Sequence, residues 1–364
     1  MNQSPNAPYQ LAMAVETDYP IMAIIDTDIG FLNDDGLALL LALSSDEFEV
    51  LGVTVVAGNF DRDQEVVDAL SLLEVVDRLD VGVYPGADRP LVHNRLSYED
   101  GVWGKWATFR EPTLPLGRPP AGAARAVHAA NFIVEAVRAR PREVTILCLG
   151  PLTNIALALR IAPEIAGLVR RLVIMGGAVA SLSGGSGNLT PTAEFNFWVD
   201  PEAAQITLSS GAPVLVVPLN VVRKLRYSDD MHRRIIAAEG PVAELLDAKM
   251  SGFFDGRPDP DGEDFCRYGL CDPVTVVAAF RPDLFSVLPA FMEVDLSHGM
   301  AYGTSYTYVV GDVTNAAPEH ELSTFNGFVQ PQTLPGTLNA ARVMVAIDLQ
   351  VDVVTELCVQ RLGR

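Results

Sequence analysis

Four aspartates close behind an apolar run carry the clearest chemical potential in this chain. Ile21-Met22-Ala23-Ile24-Ile25 leads into Asp26, Thr27, Asp28, Ile29, Gly30, Phe31, Leu32, Asn33, Asp34 and Asp35. Carboxylates packed this closely repel one another unless a cation or hydroxyl donors compensate them. Hard oxygen ligands suit Ca²⁺ or Mg²⁺, so the cluster calls for a metal, a polyol, or both. A competing reading spends Asp34 or Asp35 as the cap of the helix that follows. It accounts for one aspartate and leaves three.

Three other segments carry polar groups in unusual company. Gly187-Asn188-Leu189-Thr190-Pro191-Thr192-Ala193-Glu194-Phe195-Asn196 places two amides and a carboxylate in one loop, a set that can bind several hydroxyl groups. Gly150-Pro151-Leu152-Thr153-Asn154 sits between an apolar strand and a helix; Thr153 or Asn154 reads first as a helix cap, and a backbone carbonyl here could also ligate a hard cation. Cys271-Asp272-Pro273 precedes the apolar run 274–280. An Asp before Pro is expected to be extended, either capping the run or facing a site.

The elements that must position these groups alternate. Residues 21–25, 49–56, 144–149, 172–175, 213–217 and 343–347 read as strands; 34–45, 64–79, 121–139, 152–161 and 200–208 read as helices. Strands of this length alternating with helices imply βαβ units. The fold class is therefore α/β: one domain over residues 21–364, with a mostly parallel central sheet and helices on both faces. In such sheets ligands bind at the strands' carboxyl ends, where the aspartates lie. Residues 1–20 read as a flexible tail, and 93–120, 181–195 and 252–269 as long binding loops. Residues 312–338 read as an insertion before the last strand.

Composition narrows the function further. Of 364 residues, 46 are acidic and 26 basic, a formal net charge of −20, which argues against nucleic acid as a partner. Hydrophobic residues make up 49%, enough for a large core. Cys148, Cys266, Cys271 and Cys358 match no zinc spacing or disulfide framework. With no apolar run of membrane-spanning length and no leader-like N-terminus, a cytoplasmic protein is expected, without a membrane partner.

Taken in order over roughly residues 21–350, these segments resemble the inosine–uridine-type nucleoside hydrolases. Asp26-Thr27-Asp28-Ile29-Gly30 with Asp34-Asp35 is similar to that family's N-terminal aspartate cluster. Val56-Ala57-Gly58-Asn59, Gly150-Pro151-Leu152-Thr153-Asn154-Ile155-Ala156, Met175-Gly176-Gly177, the 188–196 segment and Asp272-Pro273 resemble its later motifs. The resemblance implies a Ca²⁺-dependent hydrolase that cleaves ribonucleosides to ribose and free base through an oxocarbenium-like transition state. Carried over, Asp28, Asp35 and Asp272 would ligate calcium by side chain and Thr153 by its carbonyl, with Asp28 also taking a proton from the attacking water. Asp34, Asn59, Met175, Asn188, Glu194 and Asn196 would hold the ribose, and Asp26 would support the cluster from behind. The family also implies a homodimer or homotetramer.

The base side departs from the pattern. The best-known branch has a His before the last Asp and another in the loop near Ser97 or Tyr98; here the first position is Cys271, and none of the five histidines matches either. A second branch has Trp at the position of Cys271. Cys271 could donate a proton to the leaving base or merely fill space behind it; Tyr98, Trp103, Trp106 and Tyr268 are alternative donors or stacking platforms, and the aromatic loop leans towards purines. Two other functions compete. A phosphatase of the haloacid dehalogenase type would explain Asp26-x-Asp28 but leaves 188–196 idle. A catalytically weak or inactive ribosyl-binding protein would explain the missing His.

Overall fold

A computed structural model describes residues 20–92, 114–180, 182–250, 269–309 and 341–364. The expected tail (1–20, apart from Pro20), the loop carrying Tyr98, Trp103 and Trp106, the loop carrying Tyr268, and the 312–338 insertion lie outside the described residues.

Among the described residues nine strands form one sheet in the order β3-β2-β1-β4-β5-β6-β9-β7-β8. They are β1 (Ile21–Thr27), β2 (Phe48–Val55), β3 (Val83–Pro85), β4 (Val144–Cys148), β5 (Arg171–Met175), β6 (Val214–Val217), β7 (Phe285–Val294), β8 (Ser305–Val309) and β9 (Ala341–Leu349). From β3 to β9 every neighbouring pair is parallel; β7 is antiparallel to β9 and to β8. Central strands such as β4 and β5 are buried at every residue because helices cover both faces. Alternation splits each strand between two cores. Ile25, Leu147 and Val173 pack with helices Asp34–Leu43, Arg62–Val75 and Cys271–Phe280. Ile24, Ile146 and Ile174 pack on the other side with Ala129–Ala139, Thr153–Ile161 and Pro201–Leu208.

The expected architecture is what forms, with three corrections. The helix expected over 121–139 begins only at Ala129. Upstream N–H groups are spent elsewhere: Ala121 N–H donates to Glu74 Oε2 (2.7 Å) and Arg125 N–H to the Val83 carbonyl (2.8 Å). Asp272 is not extended but lies in the first turn of the helix Cys271–Phe280. A proline is tolerated there because first-turn N–H groups have no intrahelical acceptor to lose. The antiparallel strands β7 and β8 were not anticipated; β7 is buried on only part of its length and lacks the continuous apolar run of the central strands.

Sheet order places the switch point between β1 and β4. From β1 the chain winds outward through β2 and β3, then returns to β4 and winds the other way. The crevice beyond the carboxyl ends of β1 and β4 is where this topology puts ligands. No helix among the described residues is long and apolar enough to cross a membrane.

Candidate active site

Asp28 follows the end of β1 directly, at the switch point. Two glycines let neighbouring chain approach it: a Cβ on Gly58, after β2, would lie 2.2 Å from Asp28 Oδ2, and one on Gly150, after β4, 2.7 Å from Oδ1. Asn59 then ties the strand ends together. Its N–H donates to Asp28 Oδ2 (2.8 Å), and its side-chain amide donates to the Asp28 carbonyl (3.2 Å) and to Asp35 Oδ2 (3.0 Å).

Asp34 and Asp35 open the helix Asp34–Leu43, but neither caps it. The cap is Asn33, whose Oδ1 accepts the Gly36 N–H at 3.0 Å. That frees both carboxylates to face the site. Asp35 accepts from Thr27 Oγ1 (2.5 Å) and Asn33 Nδ2 (3.0 Å). Asp272, from the start of Cys271–Phe280, comes in opposite them. One oxygen each from Asp34, Asp35 and Asp272 lie within 4.8 Å of one another. Two helix N-termini therefore point their partial positive charge at one acidic cluster.

The electrostatics show how poorly the protein alone satisfies this cluster. Burial raises the carboxyl pKa of Asp28 and Asp272, each pushed further by the charge of Asp35. Asp34 is pushed up to about 7 by burial and by Asp35. Burial likewise raises the Asp35 carboxyl, against the hydrogen bonds from Thr27 and Asn33 that lower it. Asp272 Oδ1 is buried with no hydrogen-bond partner among the described residues. Buried oxygens that repel one another and lack donors fit a hard cation.

Asp26 stands behind. Its Oδ1 accepts from Thr54 Oγ1 (2.6 Å) and Asn154 Nδ2 (2.8 Å), and burial pushes its pKa up to about 7. Thr153 and Asn154 are not caps: Leu152 occupies the cap position without a side-chain bond. Thr153 Oγ1 donates to the buried Asp200 at 2.7 Å, and Asn154 Oδ1 accepts the Ala87 N–H at 2.9 Å. Both side chains join separate loops across the crevice.

The 188–196 segment reaches the same place through Glu194, which caps the short helix Phe195–Val199. Glu194 accepts N–H groups of Gly177 (2.9 Å), Asn196 (2.8 Å) and Phe197 (3.0 Å), while burial raises its pKa to about 7. Three N–H donors leave lone-pair capacity on the carboxylate. Asn196 Nδ2 donates to the carbonyls of Leu149 (2.6 Å) and Met175 (3.2 Å), bringing Met175 beside it. Asn188 is exposed and fixes the loop by accepting the Phe195 N–H at 2.9 Å.

Cys271 is buried between Asp34, Asp272 and Glu194, which together with burial hold its thiol well above the ordinary range. Tyr98, Trp103 and Tyr268 lie outside the described residues. One carboxylate escaped the sequence reading: Glu65, wholly buried beside Asp28. Its signal was position, since Glu65, Asp68 and Leu72 fall on one buried helical stripe.

Comparisons with known proteins point to one family. Residues 23–354 match the inosine-uridine preferring nucleoside hydrolase family. Uridine nucleosidase 1 of Arabidopsis thaliana is 38% identical over 282 residues, 77% of this chain and 80% of that protein. The pyrimidine-specific ribonucleoside hydrolase RihA of Escherichia coli is 34% identical over 296 residues, 80% of this chain and 91% of RihA. The structure of a purine-preferring ribonucleoside hydrolase from Gardnerella vaginalis superposes with a TM-score of 0.72 at 26% identity, covering 94% of this chain and 98% of that one. The chain belongs to the inosine–uridine preferring nucleoside hydrolase family and is an N-ribosyl hydrolase of ribonucleosides.

Proposed function

We propose that the protein is a Ca²⁺-dependent hydrolase that releases free base from ribonucleosides by direct attack of water. The observation that carries this reading is the trio Asp34, Asp35 and Asp272, with oxygens within 4.8 Å and one of them buried without a donor. Asp35 and Asp272 of this trio would hold the ion through side chains together with Asp28, whose charge also bears on Asp272, and Thr153 through its carbonyl, leaving Asp34 to the sugar. Bound there, calcium would offset the charge of these carboxylates and acidify a nearby water.

Asp28 takes the proton of the attacking water. Its Oδ2 is held by the Asn59 N–H, which fixes the carboxylate's direction. Asp34, Asn59, Asn188, Glu194 and Asn196 receive the ribose hydroxyls, with Met175 against the sugar ring. Holding the sugar at several points at once turns binding energy into orientation. The surrounding negative charge favours the oxocarbenium character that develops as the glycosidic bond breaks. Asp26 supports the cluster from behind through Thr54 and Asn154.

On the base side, Tyr98, Trp103 and Tyr268 are the candidate contacts. Cys271 is a packing and positioning residue rather than the acid, because burial and the charges of Asp34, Asp272 and Glu194 hold its thiol well above the ordinary range, which makes it a poor proton donor. For substrate we favour pyrimidine ribonucleosides, uridine first, on the names of the 38% and 34% identical relatives. The aromatic residues of the 93–120 loop favour the second reading, purines.

Release of reducing sugar from uridine, cytidine, inosine, adenosine and guanosine, with Ca²⁺ and after chelation, tests this. Chelator-sensitive release is expected, fastest from uridine. Tight nucleoside binding with calcium but no sugar release would make the protein a ribosyl-binding member of the family. Release unaffected by chelation would overturn the metal assignment.

A further inference from the structure

Glu65 is a wholly buried carboxylate that the mechanism above does not use. It sits in the first turn of the helix Arg62–Val75, on a face otherwise buried through Val66, Ala69, Leu72 and Leu73. Its Oε1 accepts the Phe60 N–H at 2.8 Å, and Oε2 is buried without a partner among the described residues. The N–H just before it, that of Asn59, goes instead to Asp28 Oδ2 at 2.8 Å. The consecutive N–H groups of one turn are thus divided between two carboxylates.

We infer that Glu65 is a positioning residue for Asp28: it anchors the Phe60 N–H that follows Asn59, and so aims the Asn59 N–H that orients the water-activating carboxylate. The inference rests on the role of Asp28 in the proposed hydrolysis. The turn needs such an anchor. Gly58 must be glycine, because any Cβ there would strike Asp28, and glycine leaves the backbone free to wander. The side-chain oxygen of Glu65 supplies the acceptor that fixes the Phe60 N–H. Burying an acidic group whose second oxygen has no partner carries a cost that a leucine would avoid. The charge of Asp28 also pushes the Glu65 pKa up, second only to burial, as expected if the two face each other across the turn.

The test compares kcat and KM of Glu65→Ala and Glu65→Gln with wild type, on the fastest substrate of the ribonucleoside panel, with thermal unfolding to confirm folded protein. For Glu65→Ala we expect kcat to fall about 10–100-fold with KM within about threefold. Glu65→Gln keeps an acceptor oxygen for the Phe60 N–H and should stay within about threefold of wild type. Wild-type kcat per folded molecule in Glu65→Ala, or a change confined to KM, overturns the inference. Should Glu65→Ala not fold, Glu65→Leu decides: a kcat loss of about threefold or more at constant KM supports it, and wild-type kcat overturns it. The two levels separate cleanly. A wild-type enzyme that releases no sugar sinks the proposed hydrolysis, whereas an active wild type with unaffected Glu65 variants sinks only this inference.

Discussion

Two neighbouring side chains, Asp28 and Cys271, make the sharpest contrast at the residue scale. Asp28 has one oxygen held by a backbone N–H and sits at the sheet's switch point. Asp28→Ala should lower kcat by at least about a thousandfold, the contribution of a positioned base; ribose release by a folded variant checks it, and near-normal turnover would remove Asp28 from the chemistry. Cys271 stands beside the same cluster, but burial and the charges of Asp34, Asp272 and Glu194 push its thiol well up, which makes it a poor proton donor. Cys271→Ala should therefore keep turnover within about tenfold of wild type. A loss beyond about a thousandfold would instead make the thiol the leaving-group acid. The Asn59 side-chain amide links the Asp28 carbonyl to Asp35 by two hydrogen bonds, so Asn59→Ala should weaken cation binding about 10–100-fold, read by calorimetric titration with Ca²⁺.

At the scale of elements, the site is made where strand ends meet helix starts. Parallel strands deliver Asp28, Asn59 and Met175 to one edge, and the N-termini of Asp34–Leu43 and Cys271–Phe280 bring the remaining carboxylates. Close approach of these connections depends on glycine, and two alanine substitutions should separate function from stability. At Gly58 the new methyl would lie 2.2 Å from the Asp28 carboxylate, so Gly58→Ala should abolish most turnover while the chain still folds. At Gly176 it would lie 2.4 Å from the rigid Phe197 ring in the core, so Gly176→Ala should cost about 1–3 kcal/mol of stability. Kinetics together with thermal unfolding of both variants distinguish the two effects. Equal loss of melting temperature in both would contradict the contrast.

For the whole molecule, a formal charge of −20 and a buried acidic cluster tie stability to pH and to cations. Burial pushes Asp26, Asp34 and Glu194 up to about 7, whereas unfolded carboxylates titrate at about 4. Between those values the unfolded chain binds fewer protons than the native one, so native stability falls as pH rises through this window. Arg-paired surface carboxylates such as Glu74 and Asp283 have lowered pKa values, and what they contribute is lost only at lower pH. Chelator-treated protein should therefore melt at progressively lower temperature from about pH 5 to about pH 8. Added Ca²⁺ should reverse the loss, and more strongly at the higher pH, because the cation binds deprotonated carboxylates. A melting temperature that rises with pH in chelator would show that these groups are not held protonated in the native state.

The aspartate cluster was legible in the chain because its members are contiguous: ten residues spanning a strand end and a helix start cannot be far apart. The parallel α/β architecture was legible too, since short apolar runs alternating with helical periodicity have few other ways to bury both sheet faces. Fold decided the rest. Asp272 lies 237 residues beyond Asp35 in sequence numbering, and only packing of Cys271–Phe280 against Asp34–Leu43 brings them together. Thr153 and Asn154 carried the local signature of helix caps, yet buried partners on distant segments claimed both side chains. Glu65 was hidden by the opposite ambiguity: a glutamate in a first helical turn matches the helix dipole, and sequence periodicity does not tell a solvated carboxylate from one buried against a catalytic turn. Local spacing thus determined which chemistry the chain could attempt, and long-range packing decided which side chains are desolvated, paired and aimed to perform it.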